Sequence, residues 1–465
     1  MSAFEFTITI QSRDKVRAEA WDHSEEFDDL KLDENLHLAT IEIFEDWLRQ
    51  GKITQRRELE VLGMHLYHVL FSPKIEAFYE KHLDDVPKDE RMRVQLRFLG
   101  NAIELANLPW EYLYYPDTET RRGYFLSTSV DLVLSRSISH QKLAFPPEKE
   151  LRLLIVVSSP PPLAINATPI ITEIQALTKD CPLQVETLDE PTVGKFQKAL
   201  EDIKPHIVHF IGDGRFDRSS GKGEIALLGS DAAGALWKED KEFADYFIQA
   251  KCIPRLVFLH LSEEKMADLN ASFAGLAPKL LHANIQTVVA MQYPISGPAA
   301  IDFTKVFYRE LMRGTPVDDA VQAGRARVKL LSSQKTSAVR DFGTPVLYMY
   351  SSDPLIQPPD QRPGGAVDQA AVPPPRSSTV PGTRPEATAG ELVERVISAG
   401  QKTVLATDLG LNQQLELAQK LSGLRLELAG KAPPEMKQTL FDHYVRETPL
   451  IQKVIEMMIH ALGEV

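Results

Sequence analysis

Two short stretches carry the residue types that do chemistry. In the first, the apolar run Ile207 to Ile211 ends in Gly212-Asp213-Gly214, which sets one acidic side chain between two glycines of a tight turn. In the second, Leu256 to Leu259 runs into His260-Leu261-Ser262-Glu263. Parallel α/β sheets carry their working residues just past the carboxyl ends of the strands. The two stretches therefore predict a site around Asp213 and Ser262. A carboxylate with an ordinary pKa of about 4 is a poor base for an alcohol at neutral pH. A serine hydroxyl without a base is a weak nucleophile. Asp213 and Ser262 alone thus make a poor hydrolytic pair. His260, just before Leu261-Ser262, is the imidazole that could restore one. His209 lies inside its strand, where a core role fits it better. Cys252 precedes its strand, at the wrong end of the sheet for the site, and reads as a structural thiol.

Other chemistries fit less well. Asp213, Asp217 and Glu263 could offer carboxylates to a divalent ion, but a solvated acidic loop accounts for them, and no metal or cofactor is expected. The glycine-rich Gly214 to Gly223 lacks P-loop spacing, because Lys222 is followed by Gly223 rather than Ser or Thr. The net charge of −13 argues against nucleic acid and against anionic membrane surfaces as partners. The two cysteines, Cys181 and Cys252, cannot build a disulfide framework or a CxxC metal site. With no signal-peptide pattern and no apolar run of spanning length, the expected location is the cytoplasm.

The elements that must position these residues follow from periodicity. Over 465 residues, 43% hydrophobic and 25% charged, a sizeable core can be buried. Phe4 to Ile10 and Met92 to Phe98 alternate apolar with polar and predict half-buried strands. Leu36 to Trp47 and Leu59 to Leu70 have helical spacing, with Gly51 as a stop. From Leu151 onward strands alternate with helices: strands at Leu151 to Val157, Leu183 to Leu188, Ile207 to Ile211, Leu256 to Leu259, Thr287 to Met291 and Pro345 to Tyr350. Glu224 to Leu228 and Ala235 to Trp237 read as a hairpin. This pattern predicts an α/β fold with a mostly parallel sheet covered on both faces. Residues 1–145 are expected to be an α+β region extending that sheet, and 146–357 the main α/β domain. The Pro-rich stretch 358–389 reads as a solvated linker, and 390–465 as a small all-α bundle able to dock a partner.

Residues Leu105 to Asp353 resemble the CHAT family of caspase-like proteins, in the separase and caspase group. The resemblance rests on LPWEYLYYPD at Leu108 to Asp117, VHFIGDG at Val208 to Gly214 and LVFLHLSEE at Leu256 to Glu264. It also rests on Phe273 to Ser296, on FYRELMRGTPVDDAVQAGR at Phe307 to Arg325, and on FGTPVLYMYSSD at Phe342 to Asp353. The family implies a caspase-like fold and cysteine peptidase chemistry, with a His after one strand serving a Cys after the next. By position, the base falls on Asp213 and the nucleophile on Ser262, and neither is the family's residue. The resemblance thus implies a pseudoprotease that acts as a protein-interaction and signalling module, as in bacterial signalling or defence assemblies. A protein or peptide would bind a cleft formed by Gly212, Gly214, Glu263, Gln292 and Tyr293, and a second protein would bind the helical tail. The alternative is an endopeptidase that uses Ser262 or is activated by a partner.

Overall fold

The computed structural model describes residues 4–12, 15–29, 36–116, 123–138, 146–160, 166–179, 181–217, 222–229, 234–261, 272–293, 295–332, 339–350 and 354–357. These belong to the first of two units, Met1–Asp368. The linker expected at 358–389 and the helical region expected at 390–465 lie outside the described residues.

The chain opens with β1 (Glu5–Ser12), β2 (Lys15–Glu19) and β3 (Glu25–Asp29), followed by α1 (Leu36–Arg49), α2 (Arg56–Leu70) and α3 (Pro73–Asp84). Next come β4 (Met92–Phe98), β5 (Tyr114–Tyr115), β6 (Tyr124–Phe125) and β7 (Leu132–Ser137). A regular alternation follows through β8 (Leu151–Ser158), α4 (Thr168–Leu177), β9 (Leu183–Asp189), α5 (Val193–Ile203) and β10 (Ile207–Gly212). Then β11 (Gly214–Asp217), β12 (Lys222–Leu228) and β13 (Ala235–Glu239) form a small antiparallel sheet. The unit continues with α6 (Asp240–Gln249), β14 (Leu256–Leu261), α7 (Ser272–His282), β15 (Thr287–Met291), α8 (Gly297–Met312), α9 (Val317–Ser332) and β16 (Pro345–Met349).

Eleven strands form one sheet in the order β3-β2-β1-β4-β7-β16-β15-β14-β10-β8-β9. Its antiparallel pairings are β2–β3, β1–β2 and β15–β16; the others are parallel. This is the α/β, mostly parallel architecture that the strand-helix alternation predicts.

Helices cover the central strands on both faces, which is why those strands are apolar throughout. In β10, His209 and Phe210 point to opposite faces. The His209 face meets Tyr308 of α8, and the Phe210 face meets Phe243 of α6, itself stacked on Phe196 of α5. Local signals set the helix ends. The left-handed backbone of Gly51 follows α1, Ser72 caps α3 with Pro73 in its first turn, and the Thr192 hydroxyl accepts from the Lys195 N–H to start α5.

Candidate functional site

Three neighbouring strands end in one row. Register pairs Gly212 of β10 with Ser158 of β8 and with Leu261 of β14, so Ser159 and Asp213 emerge side by side. Gly212 is required by close packing. A Cβ there would lie 2.4 Å from the Phe210 ring and 2.8 Å from the Ser158 carbonyl oxygen.

Asp213 is held from all sides and is 4% exposed. Its N–H donates to the Ser158 carbonyl at 3.3 Å, and its carbonyl accepts from the Ala226 N–H of β12 at 3.0 Å. Its Oδ2 accepts the Ser159 hydroxyl at 3.2 Å. The Ser158 hydroxyl donates to the Ala226 carbonyl at 2.7 Å. Glu190 completes this corner, and the sequence reading missed it. Its Oε1 accepts the Ser159 N–H at 3.0 Å, from a backbone in the left-handed region at φ 43°. Burial raises the Glu190 pKa, and the charges of Asp189 and Asp213 raise it further. The only sequence hint was the Asp189-Glu190 pair at the end of a strand.

Below this row lies an imidazole pair. His209 and His260 are both buried, with ring centroids 5.9 Å apart and planes 21° apart. The Phe258 ring stacks on His209 at 4.2 Å. His209 Nδ1 lies 3.1 Å from the Tyr308 hydroxyl, while His209 Nε2 and His260 Nδ1 have no hydrogen-bond partner. Burial pushes the His260 pKa down to about 4. Burial, and then the neighbouring His260, push that of His209 well below its ordinary value. Both rings are therefore neutral at neutral pH.

Ser262 and Glu263 lie outside the described residues, as does the Asp217 side chain. Gly214 begins β11, so the glycine turn leads directly into the small sheet. Gln292 and Tyr293 follow β15. The Gln292 amide is committed to buried partners: its Oε1 accepts from Arg136 Nη2 at 3.0 Å, and its Nε2 donates to the Asn107 carbonyl. Tyr293 is buried, and its hydroxyl has no partner. Cys252 lies before β14, its thiol 3.9 Å from the Pro205 carbonyl, and burial pushes its pKa up to about 11. Such a thiol is mostly protonated at neutral pH and a poor nucleophile. Among the described residues, no group of three His, Cys, Asp or Glu is placed to hold a metal ion. None of the described helices is long and apolar enough to cross a membrane.

Gln292 belongs to a second cluster. Glu111, Arg136 and Arg325 are completely buried. Glu111 accepts from Arg136 Nε at 3.1 Å, from Arg136 Nη2 and from Arg325 Nη2 at 3.2 Å. The remaining Arg325 donors go to the Pro345 and Leu134 carbonyls at 2.7–3.0 Å. Arg136 Nη1 donates to the Ala106 carbonyl. Burial lowers the Arg325 pKa to about 10 despite Glu111, while the charge of Glu111 raises that of Arg136 despite burial. Glu111 lies in LPWEYLYYPD and Arg325 ends FYRELMRGTPVDDAVQAGR, so two stretches far apart in the chain meet here.

The mostly parallel sheet covered by helices, with a glycine turn at the end of a central strand, defines an α/β protein. More specifically, the chain belongs to the CHAT domain family, whose model matches residues 60–377. No curated protein matches it. Among solved structures, the Saccharomyces cerevisiae separase–securin complex is similar at a TM-score of 0.40 and 11% sequence identity. That match covers 74% of this chain and 30% of the other.

Proposed function

We propose that this CHAT domain is a pseudoprotease whose strand-end cleft binds a protein partner or an extended peptide, and that the region from residue 390 onward recruits a second protein. The observation that carries this reading is the chemistry of Asp213. At the position where the family presents a histidine base, a carboxylate is occupied by the Ser159 hydroxyl, in a corner shared with Glu190. A general base must be free to take a proton and must have a pKa near the working pH. A carboxylate so engaged does not meet the first condition. The buried imidazoles do not replace it, since His260 at about 4 is a weak base. What remains is a glycine turn with a small antiparallel sheet beside it, a form suited to an extended peptide. CHAT proteins resemble parts of bacterial signalling and defence assemblies, and the role proposed here is of that kind.

The competing reading is an endopeptidase that uses Ser262 alone or after activation by a partner. It is favoured by the unpaired Nδ1 of His260, two residues before Ser262. Incubation of the full chain with proteins encoded beside it separates the two. Stable co-purification without cleavage is expected. Cleavage that Ser262→Ala abolishes would overturn the pseudoprotease reading. The double change Asp213→His with Ser262→Cys is the converse test, because gained proteolysis would show a cleft still shaped for catalysis.

A further inference from the structure

The sheet face of β2, β1, β4 and β7 opposite Phe6, Ile8 and Ile10 is polar. Register sets Arg17, Thr9, Arg97 and Ser137 in one row across the four strands, with Glu19, Thr7, Gln95 and Ser135 in the next. Alternation normally gives such a face to water. Here Thr9 is 1% and Arg97 8% exposed, and Thr7, Ser135 and Ser137 are buried too. Three adjacent members of the first row each carry a buried polar atom with no hydrogen-bond partner: Arg17 Nε, Thr9 Oγ1 and Arg97 Nε. Both guanidinium nitrogens can only donate, and the hydroxyl between them can donate as well. The other bonds of these arginines do not meet the need. Arg17 Nη2 holds Glu19 at 2.5 Å and Glu25 at 3.3 Å, while Arg97 Nη2 donates to the neutral Gln95 Oε1 at 3.0 Å. Among the described residues Arg97 makes no ion pair of its own: Glu19 and Glu5 favour its charged form only through space, and burial outweighs them and lowers its pKa.

We propose that this row binds a tetrahedral oxoanion of the phosphate class, held by the Nε–H groups of Arg17 and Arg97 with the Thr9 hydroxyl between them. Neighbouring strands lie about 4.8 Å apart, so the two arginines start roughly 10 Å apart on either side of Thr9. Both side chains are long enough to converge on one small anion above it. A neutral carbonyl would give these Nε–H groups only an ordinary hydrogen bond, whereas an oxoanion makes charge-assisted bonds to both, strong enough to compete with the nearby carboxylates of Glu19, Glu25 and Glu5. A chain of net charge −13 repels anions at long range, so capture here depends on built contacts. Arg17 is the more exposed of the two, at 25% of its side chain, and lies on the side from which an anion would enter.

The test uses the full chain at constant ionic strength in chloride buffer, titrated by calorimetry with inorganic phosphate and, in a second arm, with glycerol phosphate. Saturable binding in either arm is expected, and the tighter arm identifies the free ion or the phosphomonoester as the source. Arg97→Gln should weaken binding at least about tenfold, the size of one lost charge-assisted bond. Thr9→Val keeps the shape and removes the hydroxyl, and should weaken binding about fivefold with an unchanged melting temperature in the absence of phosphate. Should Arg97→Gln fail to fold, Thr9→Val decides alone. A response no different from that to added chloride would overturn the proposal, as would wild-type affinity in Thr9→Val.

Discussion

The Glu111 cluster and the Asp213 corner are built from the same family's motifs, yet their internal chemistry is opposite. Around Glu111, buried arginines direct their donors to carboxylate, amide and carbonyl oxygens. Around Asp213, a carboxylate shares one serine with a second acid, above two imidazoles that each leave a ring nitrogen unpaired. The first is a closed network that joins Trp110–Tyr112, β7, α9 and the start of β16. The second sets two acids on one serine above two rings that burial keeps neutral. Under the function proposed above, the family's scaffold is kept around the buried Glu111 network and altered at the position where the family would place its base.

The largest test of this contrast is Glu111→Gln. It leaves two buried arginines without their shared counter-charge, and breaking such a pair costs about 3–5 kcal/mol. Urea unfolding should show a loss of that size; a loss below about 1 kcal/mol would erase the distinction between the two regions. The next effect is pH-dependent. His260 in the folded protein lies at about 4, below its ordinary value of 6.5, so the unfolded chain takes up the proton first. Stability is therefore fully present above pH 6.5 and falls as pH drops through the window from 6.5 to 4. The loss is up to about 3 kcal/mol from this ring, and His209 contributes in the same direction. His260→Leu should flatten that slope relative to wild type, measured as the difference between two denaturant-midpoint profiles against pH. An unchanged slope would mean that the ring is not buried neutral.

Much of this was legible in the residues. The strand-helix alternation from Leu151 onward predicts every strand of the main sheet from β8 to β16, because buried parallel strands are apolar runs bounded by turns. The strands at Lys15–Glu19 and Glu25–Asp29 were not legible, since Glu25-Glu26-Phe27-Asp28-Asp29 has a polar composition and becomes a strand only by pairing with its neighbour. Alternation predicts Thr7 and Thr9 on the polar side of one half-buried strand and Gln95 and Arg97 on that of another, but not that the two pair or that Thr7, Thr9 and Arg97 are buried, because burial is decided by tertiary neighbours. At the site, the glycine turn and Asp213 could be placed from the chain alone. Glu190 and Ser159 could not, because their meeting depends on β8, β9 and β10 ending side by side.

Two smaller changes sharpen the contrast within the Asp213 corner itself. Gly212→Ala forces a Cβ to within 2.4 Å of the Phe210 ring and 2.8 Å of the Ser158 carbonyl. Overpacking of this kind costs about 1–3 kcal/mol, so unfolding should move to lower urea with the slope unchanged. Asp213→Asn should do much less. The amide oxygen can still accept the Ser159 hydroxyl, and one of two adjacent negative charges is removed, so stability should stay within about 1 kcal/mol of wild type. The informative readout is Glu190. Its pKa is raised first by burial and only in part by Asp213, so carbon-detected titration of the variant should find it lower than in wild type but still above the ordinary carboxylate value. A Glu190 pKa unmoved by Asp213→Asn would mean that the two carboxylates do not sense each other. A destabilisation as large as that of Glu111→Gln would mean that Asp213 is as structural as the arginine cluster, and that the fold alone accounts for an acid at this position.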